Sequence, residues 1–366
     1  MKFSINQKQL SETLTTVNKA VSQRATNPAL TGIMLEATEN EVNFRATDLE
    51  LSISATVPAL IEEDGNALLP AKLLVDIVSV MPDEAVNIEV ANDSAEITCA
   101  KSNFSIRTLN ATDYPEFPKV ETTEKVSLPF KDFSEMTRRV ARMTARDDSR
   151  PILQGVNVNV EGNNLELVAT DAYRIAIAKS QVETDNTSTF SAVIPGNFLM
   201  DVAALKGDID NAILSLSENQ VVVECNDCVF INRRIAGNFP DYKQLLNDDA
   251  KIRASVNAKD LAEAVKRINV LSNIGQSIKM NFDPTTAQIG LSGSAADVGT
   301  CEESVEASYD GDGEKIKIAF NCSYVLEGLA CFTADEITFE IVADNKPGVF
   351  KDDGKTIYIL LPVKLG

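Results

Sequence analysis

Three times along the 366 residues a short strand runs into a helix with one apolar face, and each time the interval is close to one third of the chain. The first copy pairs a strand over Lys2 to Ile5 with a helix over Gln7 to Val21, its apolar face carried by Leu10, Leu14, Val17 and Val21. The second pairs Val126 to Leu128 with Lys131 to Thr144, where Phe133, Met136, Val140 and Met143 recur at helical spacing. The third pairs Ile252 to Val256 with Lys259 to Leu271, presenting Leu261, Val265 and Ile268. Leu10 and Phe133 are 123 residues apart, and Phe133 and Leu261 are 128 apart. A period this long signals tandem domains, since solenoid repeats are shorter.

The rest of each third repeats as well. A second helix follows Leu69-Pro70, Ile194-Pro195 and Phe320-Asn321, and a last strand follows in FSIRTLN, VFINRR and TIYILLP. Each third therefore reads as two helices among hairpin-connected strands, an α+β composition. Boundaries are expected near Glu121 to Glu124 and Asn247 to Ala250, giving domains 1–123, 124–249 and 250–366. Two of the copies share a strand, Thr-Asp corner, strand unit: FRATDLELSIS from Phe44 and LVATDAYRIAIA from Leu167. Leu165, Leu167 and Ala169 alternate before the second corner and Ile175 and Ile177 after it, the period of half-buried strands. Thr and Asp side chains bond nearby backbone and so hold such a corner.

Several chemistries are excluded by what the chain lacks. There is no histidine, which removes Ser-His-Asp and Cys-His catalysis and the commonest zinc ligand. No P-loop or G-x-G-x-x-G occurs, and Asp310-Gly-Asp-Gly-Glu314 is too short for an EF-hand loop, so it reads as a surface turn. Adjacent acids such as Glu62-Glu63, Asp147-Asp148 and Glu302-Glu303 diverge on a loop or strand and read as solvated charge. Neither a metal site nor a cofactor is expected. Cys225 and Cys228 fit C-x-x-C, but Asn226-Asp227 between them makes a two-residue hairpin turn. The six cysteines read as reduced core residues. With no apolar run of membrane-spanning length and no signal peptide, a soluble cytoplasmic protein is expected.

The net charge of -20 speaks against nucleic acid until the distribution of the basic residues is considered. Arg138, Arg142 and Arg146 fall at i, i+4, i+8 on the second copy's first helix and its exit, with Arg139 and Arg150 close by. Matching places in the other copies hold Lys19 and Arg24, and Lys266 and Arg267. Basic stripes without interleaved aromatics suit phosphate contact without base reading.

Taken together, MKF at the start, Arg24 before Pro28-Ala-Leu, ATDLE, LPAK, ATDAYRIA, NFPDY, FNCSYVLEGL and a terminal LLPVKL make the chain resemble the bacterial DNA polymerase sliding clamps. The resemblance spans the whole chain. It implies a non-catalytic accessory subunit: three similar domains per chain, helices lining a central hole, antiparallel sheets outside, and two chains joined head to tail as a ring around duplex DNA. It implies a duplex-facing set of Arg24, Lys72, Arg138, Arg142, Arg146, Arg150, Lys266 and Arg267. A pocket for a short peptide of polymerases, the clamp loader and other partners would be lined by Leu153, Thr170, Ala172, Tyr173, Arg174, Ile175, Pro240, Leu245, Asn321, Tyr324, Leu360, Leu361, Pro362, Val363 and Lys364. Lys101, Phe104 and Ile106 would meet Val270, Leu271, Glu302 and Glu303 of a second copy. The chain departs from the family pattern at Ala172-Tyr173, where Gly-His is frequent, at Gln244 and Lys364, at Gly196 and Asn197 where some relatives are basic, and in its extra Gly366.

A packing estimate bears on the ring. Helices about 10 Å wide, six side by side, leave a hole of only about 9 Å, whereas the grooves of a duplex alone sum to about 16 Å. Twelve leave about 28 Å, so two chains can encircle DNA where one cannot. The readings that compete with a clamp are a three-domain scaffold that never closes and a metal-dependent hydrolase using clustered acids.

Overall fold

The computed structural model describes residues 1–22, 26–147, 149–182, 189–246, 250–275, 277–295, 298–310 and 314–364, with 272–275 described by backbone alone. Arg24, most of the Asn247 to Ala250 boundary, the Asp310 to Glu314 turn at its centre, and Gly366 lie outside the described residues.

Six α-helices occur among the described residues: α1 (Gln7–Val17), α2 (Ala71–Ser79), α3 (Phe130–Val140), α4 (Gly196–Ala203), α5 (Ala258–Gly275) and α6 (Cys322–Leu329). Each third of the sequence holds two. Their apolar faces are those the spacing predicts: Leu10, Leu14 and Val17 in α1, Phe133, Met136 and Val140 in α3, and Leu261, Val265 and Ile268 in α5 are buried. Full burial of such side chains stabilises by about 1.5–3 kcal/mol each. Asparagines start α1 and α5. Asn6 Oδ1 accepts from Lys8 N and Gln9 N, and Asn257 Oδ1 from Lys259 N and Asp260 N, each cap being worth about 1 kcal/mol. Two helices end earlier than expected. α1 stops at Val17 and α3 at Val140, each followed by a 3-10 turn, Asn18–Ala20 and Ala141–Met143.

The chain forms two compact units, one chiefly Met1–Ser134 with Asn197–Arg234, the other chiefly Glu135–Val182 with Ile235–Gly366. These cut across the three repeats, because strands pair across both expected boundaries. In the first unit Cys228–Arg233 pairs with Ser52–Pro58, from Cys228 opposite Ala55 to Ile231 opposite Ser52, joining strands of the first two repeats into one eight-stranded antiparallel sheet. In the second, Arg174–Gln181 pairs with Thr356–Leu360, from Arg174 opposite Leu360 to Ala178 opposite Thr356, giving a twelve-stranded sheet. An unpaired strand edge is a row of unsatisfied backbone groups, and this pairing removes one from each repeat.

The strand around Leu167 is buried on both faces, where half-burial is expected. Leu165, Leu167 and Ala169 face one side, opposite Ser180, Ala178 and Ala176. Ile175 and Ile177 belong to the other side with Val168, where the segment Phe239 to Leu246 covers them and Tyr242, Val349, Ile357 and Ile359 complete a second apolar cluster. A covered outer face is what makes a pocket possible here.

All six cysteines are free thiols. Cys225 and Cys228 face each other across the Asn226-Asp227 turn, and burial pushes their thiols up to about 12 and about 11.

Candidate functional site

The second unit's Thr-Asp corner is built from its own side chains. Thr170 Oγ1 donates to Arg174 O at 2.7 Å and accepts from Ala172 N at 3.1 Å, while Asp171 Oδ1 accepts from Tyr173 N and Arg174 N at 3.0 and 3.1 Å. The corner places Ala172 at φ 78°, a left-handed conformation that glycine adopts without steric cost. The frequent glycine of the family pattern thus has a backbone reason. The first unit's corner matches: Leu49 stands at φ 79°, Leu49 N donates to Thr47 Oγ1, and Glu50 N and Leu51 N donate to Asp48 Oδ1.

Arg174 is buried beside the corner. Its Nε lies 2.9 Å from Asp171 Oδ2, its Nη1 2.7 Å from Glu327 Oε2, and its guanidinium 4.1 Å from the ring centre of Tyr324. Burial opposes this charge, but Tyr358, Glu327 and Asp171 outweigh it and hold the pKa above its ordinary value. The ion cluster ties the corner to α6. Tyr173 projects outward, 60% exposed, its ring 6.5 Å from that of Tyr324. Leu361 N donates to Tyr173 O at 2.9 Å, so the end of the last strand is held against the corner.

A cavity of about 210 Å³ opens at this place, lined by Arg150, Leu153, Thr170, Ala172, Tyr173, Arg174, Ile175, Pro240, Asp241, Tyr242, Leu245, Ile359 and Leu361. Its floor is aliphatic, and its hydrogen-bonding and charged groups include Arg150, Thr170 and Asp241. Its far wall is the segment around Tyr242, whose hydroxyl donates to Glu166, while Lys179 Nζ lies 3.3 Å from the same carboxylate. The Phe239 ring packs edge-on against Tyr242 at 6.5 Å. Such a concave apolar site with a few oriented polar groups fits an extended peptide with bulky side chains.

The expected pocket residues divide. Leu153, Thr170, Ala172, Tyr173, Arg174, Ile175, Pro240, Leu245 and Leu361 line the cavity. Leu360 does not: it is fully buried on the opposite side of its strand from Ile359 and Leu361, because side chains alternate along a strand. Asn321 caps α6 by accepting from Tyr324 N at 3.1 Å. It and Tyr324 stand outside the cavity wall, Tyr324 touching it through Tyr173 and Arg174. Pro362, Val363 and Lys364 also lie outside, and Val363 N donates to Ala319 O at 2.9 Å. Sequence reasoning missed Asp241, Tyr242 and Ile359. Alternation in TIYILLP already places Ile359 with Leu361, and the aromatic of NFPDY was a signal for Tyr242.

The basic residues divide too. Lys72, Arg138, Arg142, Arg146, Arg150 and Lys266 are exposed. The straight i, i+4, i+8 stripe does not form, because α3 ends before Arg142 and the 3-10 turn before Arg146. Arg150 lines the cavity. Arg267 is engaged by Glu303, with Nε–Oε1 at 2.9 Å and Nη2–Oε1 at 2.5 Å, and Lys19 by Asp201 at 3.1 Å. Gly196 stands where a Cβ would come within 2.9 Å of Thr144, so close packing accounts for the lack of a basic side chain there.

Of the residues expected to meet a second copy, Val270 is 73% exposed and Phe104 36%, Lys101 and Glu302 are exposed, and Leu271 and Glu303 are half-buried. Ile106 is buried in its own unit and is not free to meet a partner. Two of the open strand edges lie at residues expected to meet a second copy. Ser102–Arg107 ends its five-stranded sheet, paired only with Ser94–Cys99. Gly299–Tyr309 pairs with Ile252–Asn257 only from Ala307 onward, leaving one side of the stretch with Glu302 unpaired.

Family models for the DNA polymerase III beta subunit match the chain in series: the N-terminal domain over residues 1–118, the central domain over 127–241 and the C-terminal domain over 243–363. The chain is similar to the beta sliding clamp of Synechocystis sp., 32% identical over 391 residues with all of both chains covered. It is similar to the beta sliding clamp of Staphylococcus epidermidis at 30% identity over 377 residues, covering 100% of this chain and 99% of that one. The crystal structure of the DNA polymerase sliding clamp from Bacillus subtilis superposes with a TM-score of 0.91 at 29% identity, over the full length of both.

Proposed function

We propose, from the premise that this chain belongs to the DNA polymerase III beta subunit family, that it is a sliding clamp: a non-catalytic subunit that encircles duplex DNA and gives the replicative polymerase its processivity. The observation that carries this is the end-to-end likeness to clamps of known structure, with three family matches in series and no part of the fold left over. Three clamp domains of 1–123, 124–249 and 250–366 follow, and two chains close a ring in the cytoplasm. The open edges at Ser102–Arg107 and near Glu302 support head-to-tail closure by strand pairing between copies, with Phe104 and Val270 as apolar contacts.

Duplex contact falls to Arg24, Lys72, Arg138, Arg142, Arg146 and Lys266, and it is sequence-independent, because contacts to phosphates do not read base edges. Arg267 contributes only when Glu303 releases it. The 210 Å³ cavity takes the anchor residues of partner peptides from polymerases and the clamp loader. The expected behaviour is topological: weak, salt-sensitive affinity for free duplex, but retention of loaded protein on closed circles at salt that abolishes direct binding, and loss when the circle is cut. Equal loss from circular and linear DNA would overturn the reading.

A further inference from the structure

Cys225-Asn226-Asp227-Cys228 holds a pair of thiols that neither duplex contact nor the peptide cavity uses. The two cysteines stand directly opposite each other where Gln220–Cys225 turns back into Cys228–Arg233. Residues opposed across a two-residue hairpin turn have Cα atoms about 5.5 Å apart, inside the range that a disulfide spans. Opposed side chains leave the sheet on the same face, and here both border one cleft of about 470 Å³, between α1 and the loop Ala204 to Ile209. Their closeness also shows in their acidity: burial raises the Cys225 pKa most, and the charge of a Cys228 thiolate raises it further. The other strand cysteines have no such partner, since Cys99 faces Val86 and Ser102, and Cys301 faces Gly293.

The two thiols are not equally open. Cys225 is 1% exposed, whereas Cys228 is half-buried, so a reagent in the cleft meets Cys228 first and finds Cys225 behind it. The charged groups bordering the cleft are Lys19, Lys206, Glu12 and Asp227, two of each sign, and they favour neither an anionic nor a cationic reagent. Burial, with Asp227 adding to it at Cys228, keeps both thiols protonated at neutral pH. The pair therefore rests reduced and reacts slowly, because the thiolate is the nucleophile. The turn is also a joint. Thr56 N donates to Asp227 O and Asn226 Nδ2 to Asp208 O, both at 3.0 Å, and Cys228 opposite Ala55 is the end pair of the ladder that joins the first two repeats.

We propose that Cys225 and Cys228 form a thiol–disulfide site, oxidised by a low-molecular-weight disulfide to a cross-strand bond that closes this turn. The Cys228 thiolate attacks one sulfur of the small disulfide, breaks its S–S bond and expels a thiolate, which takes up the proton that Cys228 gave away. The Cys225 thiolate then attacks the Cys228 sulfur, forming the internal bond and expelling the second thiolate, which takes up the proton from Cys225. Two electrons and two protons pass from the protein to the reagent, which leaves as two thiols. Cross-linking so short a loop gains less than cross-linking a long one, so a dithiol readily reverses the bond.

The test treats the full-length folded protein with hydroxyethyl disulfide, quenches with acid, alkylates the remaining thiols in denaturant and weighs the peptide that holds Gln220 to Arg233. That peptide is expected to lose both alkylation sites and to be lighter than the reduced form by two hydrogens, with no disulfide linking any of the other four cysteines. Dithiothreitol is expected to restore both thiols. In the variant Cys225→Ser the expected product is a mixed disulfide at Cys228, whereas in Cys228→Ser the thiol of Cys225 is expected to survive the same treatment. Amides of Ser52–Pro58 are expected to exchange more slowly with solvent in the oxidised protein than in the reduced one. Alkylation of both cysteines at every reagent concentration that leaves the cooperative thermal transition intact, or their conversion to two separate mixed disulfides, overturns the site. Faster reaction of Cys225 than of Cys228 in the single variants overturns the order of attack, and unchanged exchange in Ser52–Pro58 overturns the effect on the joint.

Discussion

Single backbone positions carry much of what makes the corner possible. Ala172 holds a conformation in which its Cβ is crowded, a cost of about 1–2 kcal/mol, against the extra freedom a glycine has when unfolded, about 0.5–1 kcal/mol. Ala172→Gly is therefore expected to range from neutral to about 1.5 kcal/mol stabilising, read as the urea midpoint at unchanged slope. A clear fall in the midpoint would show that the corner is not strained by its Cβ. Gly328 is the opposite case. A Cβ there would sit 2.2 Å from the buried ring of Tyr358, whose hydroxyl donates to Tyr324 O at 2.8 Å. Gly328→Ala is expected to lose about 1–3 kcal/mol by overpacking, and because the ring lies beside Arg174, peptide affinity falls with it.

Within elements, register decides which side chains reach the site. Ile359 and Leu361 face the cavity and Leu360 the core. Leu361→Asp is expected to weaken anchor-peptide binding at least tenfold with little change in thermal midpoint, whereas Leu360→Asp unfolds the sheet by burying an unpaired charge. Similar behaviour of the two variants in both assays would contradict this register. The segment over the outer face depends on the bond from Tyr242 to Glu166, a bond to a charged group being worth about 1.5–3 kcal/mol. Tyr242→Phe keeps the ring packed against Phe239 and removes that bond, so amides of Phe239 to Leu246 are expected to exchange faster with solvent while the core strands keep their protection. Unchanged exchange in this segment would mean that packing alone holds it.

For the whole molecule, one copy's open edge at Ser102–Arg107 is expected to receive the strand side near Glu302 of another. Phe104→Asp places a charge in the middle of that contact and is expected to yield monomers by light scattering, with folding intact and retention on closed circles lost. Monomeric wild-type protein at micromolar concentration would instead favour a scaffold that does not close. The net charge of -20 limits non-specific attraction to DNA, so retention on circles reports topology more than affinity.

Periodicity was enough to read the threefold repeat, the six helices with the buried faces of α1, α3 and α5, and the turns at Asn226-Asp227 and at both Thr-Asp corners, because each depends on residues near in sequence. The absence of histidine was likewise enough to exclude whole classes of catalysis. What needed the tertiary structure was everything set by residues far apart. Pairing of Arg174 with Leu360 and of Cys228 with Ala55 regrouped three repeats into two compact units, since backbone groups at a strand edge gain most by finding another edge. Burial of Leu360 and Ile106 and capture of Arg267 by Glu303 follow from neighbours more than thirty residues away or from how the strand lies in its sheet. A residue's type sets what chemistry it can offer, and only packing decides which face, partner and solvent it meets.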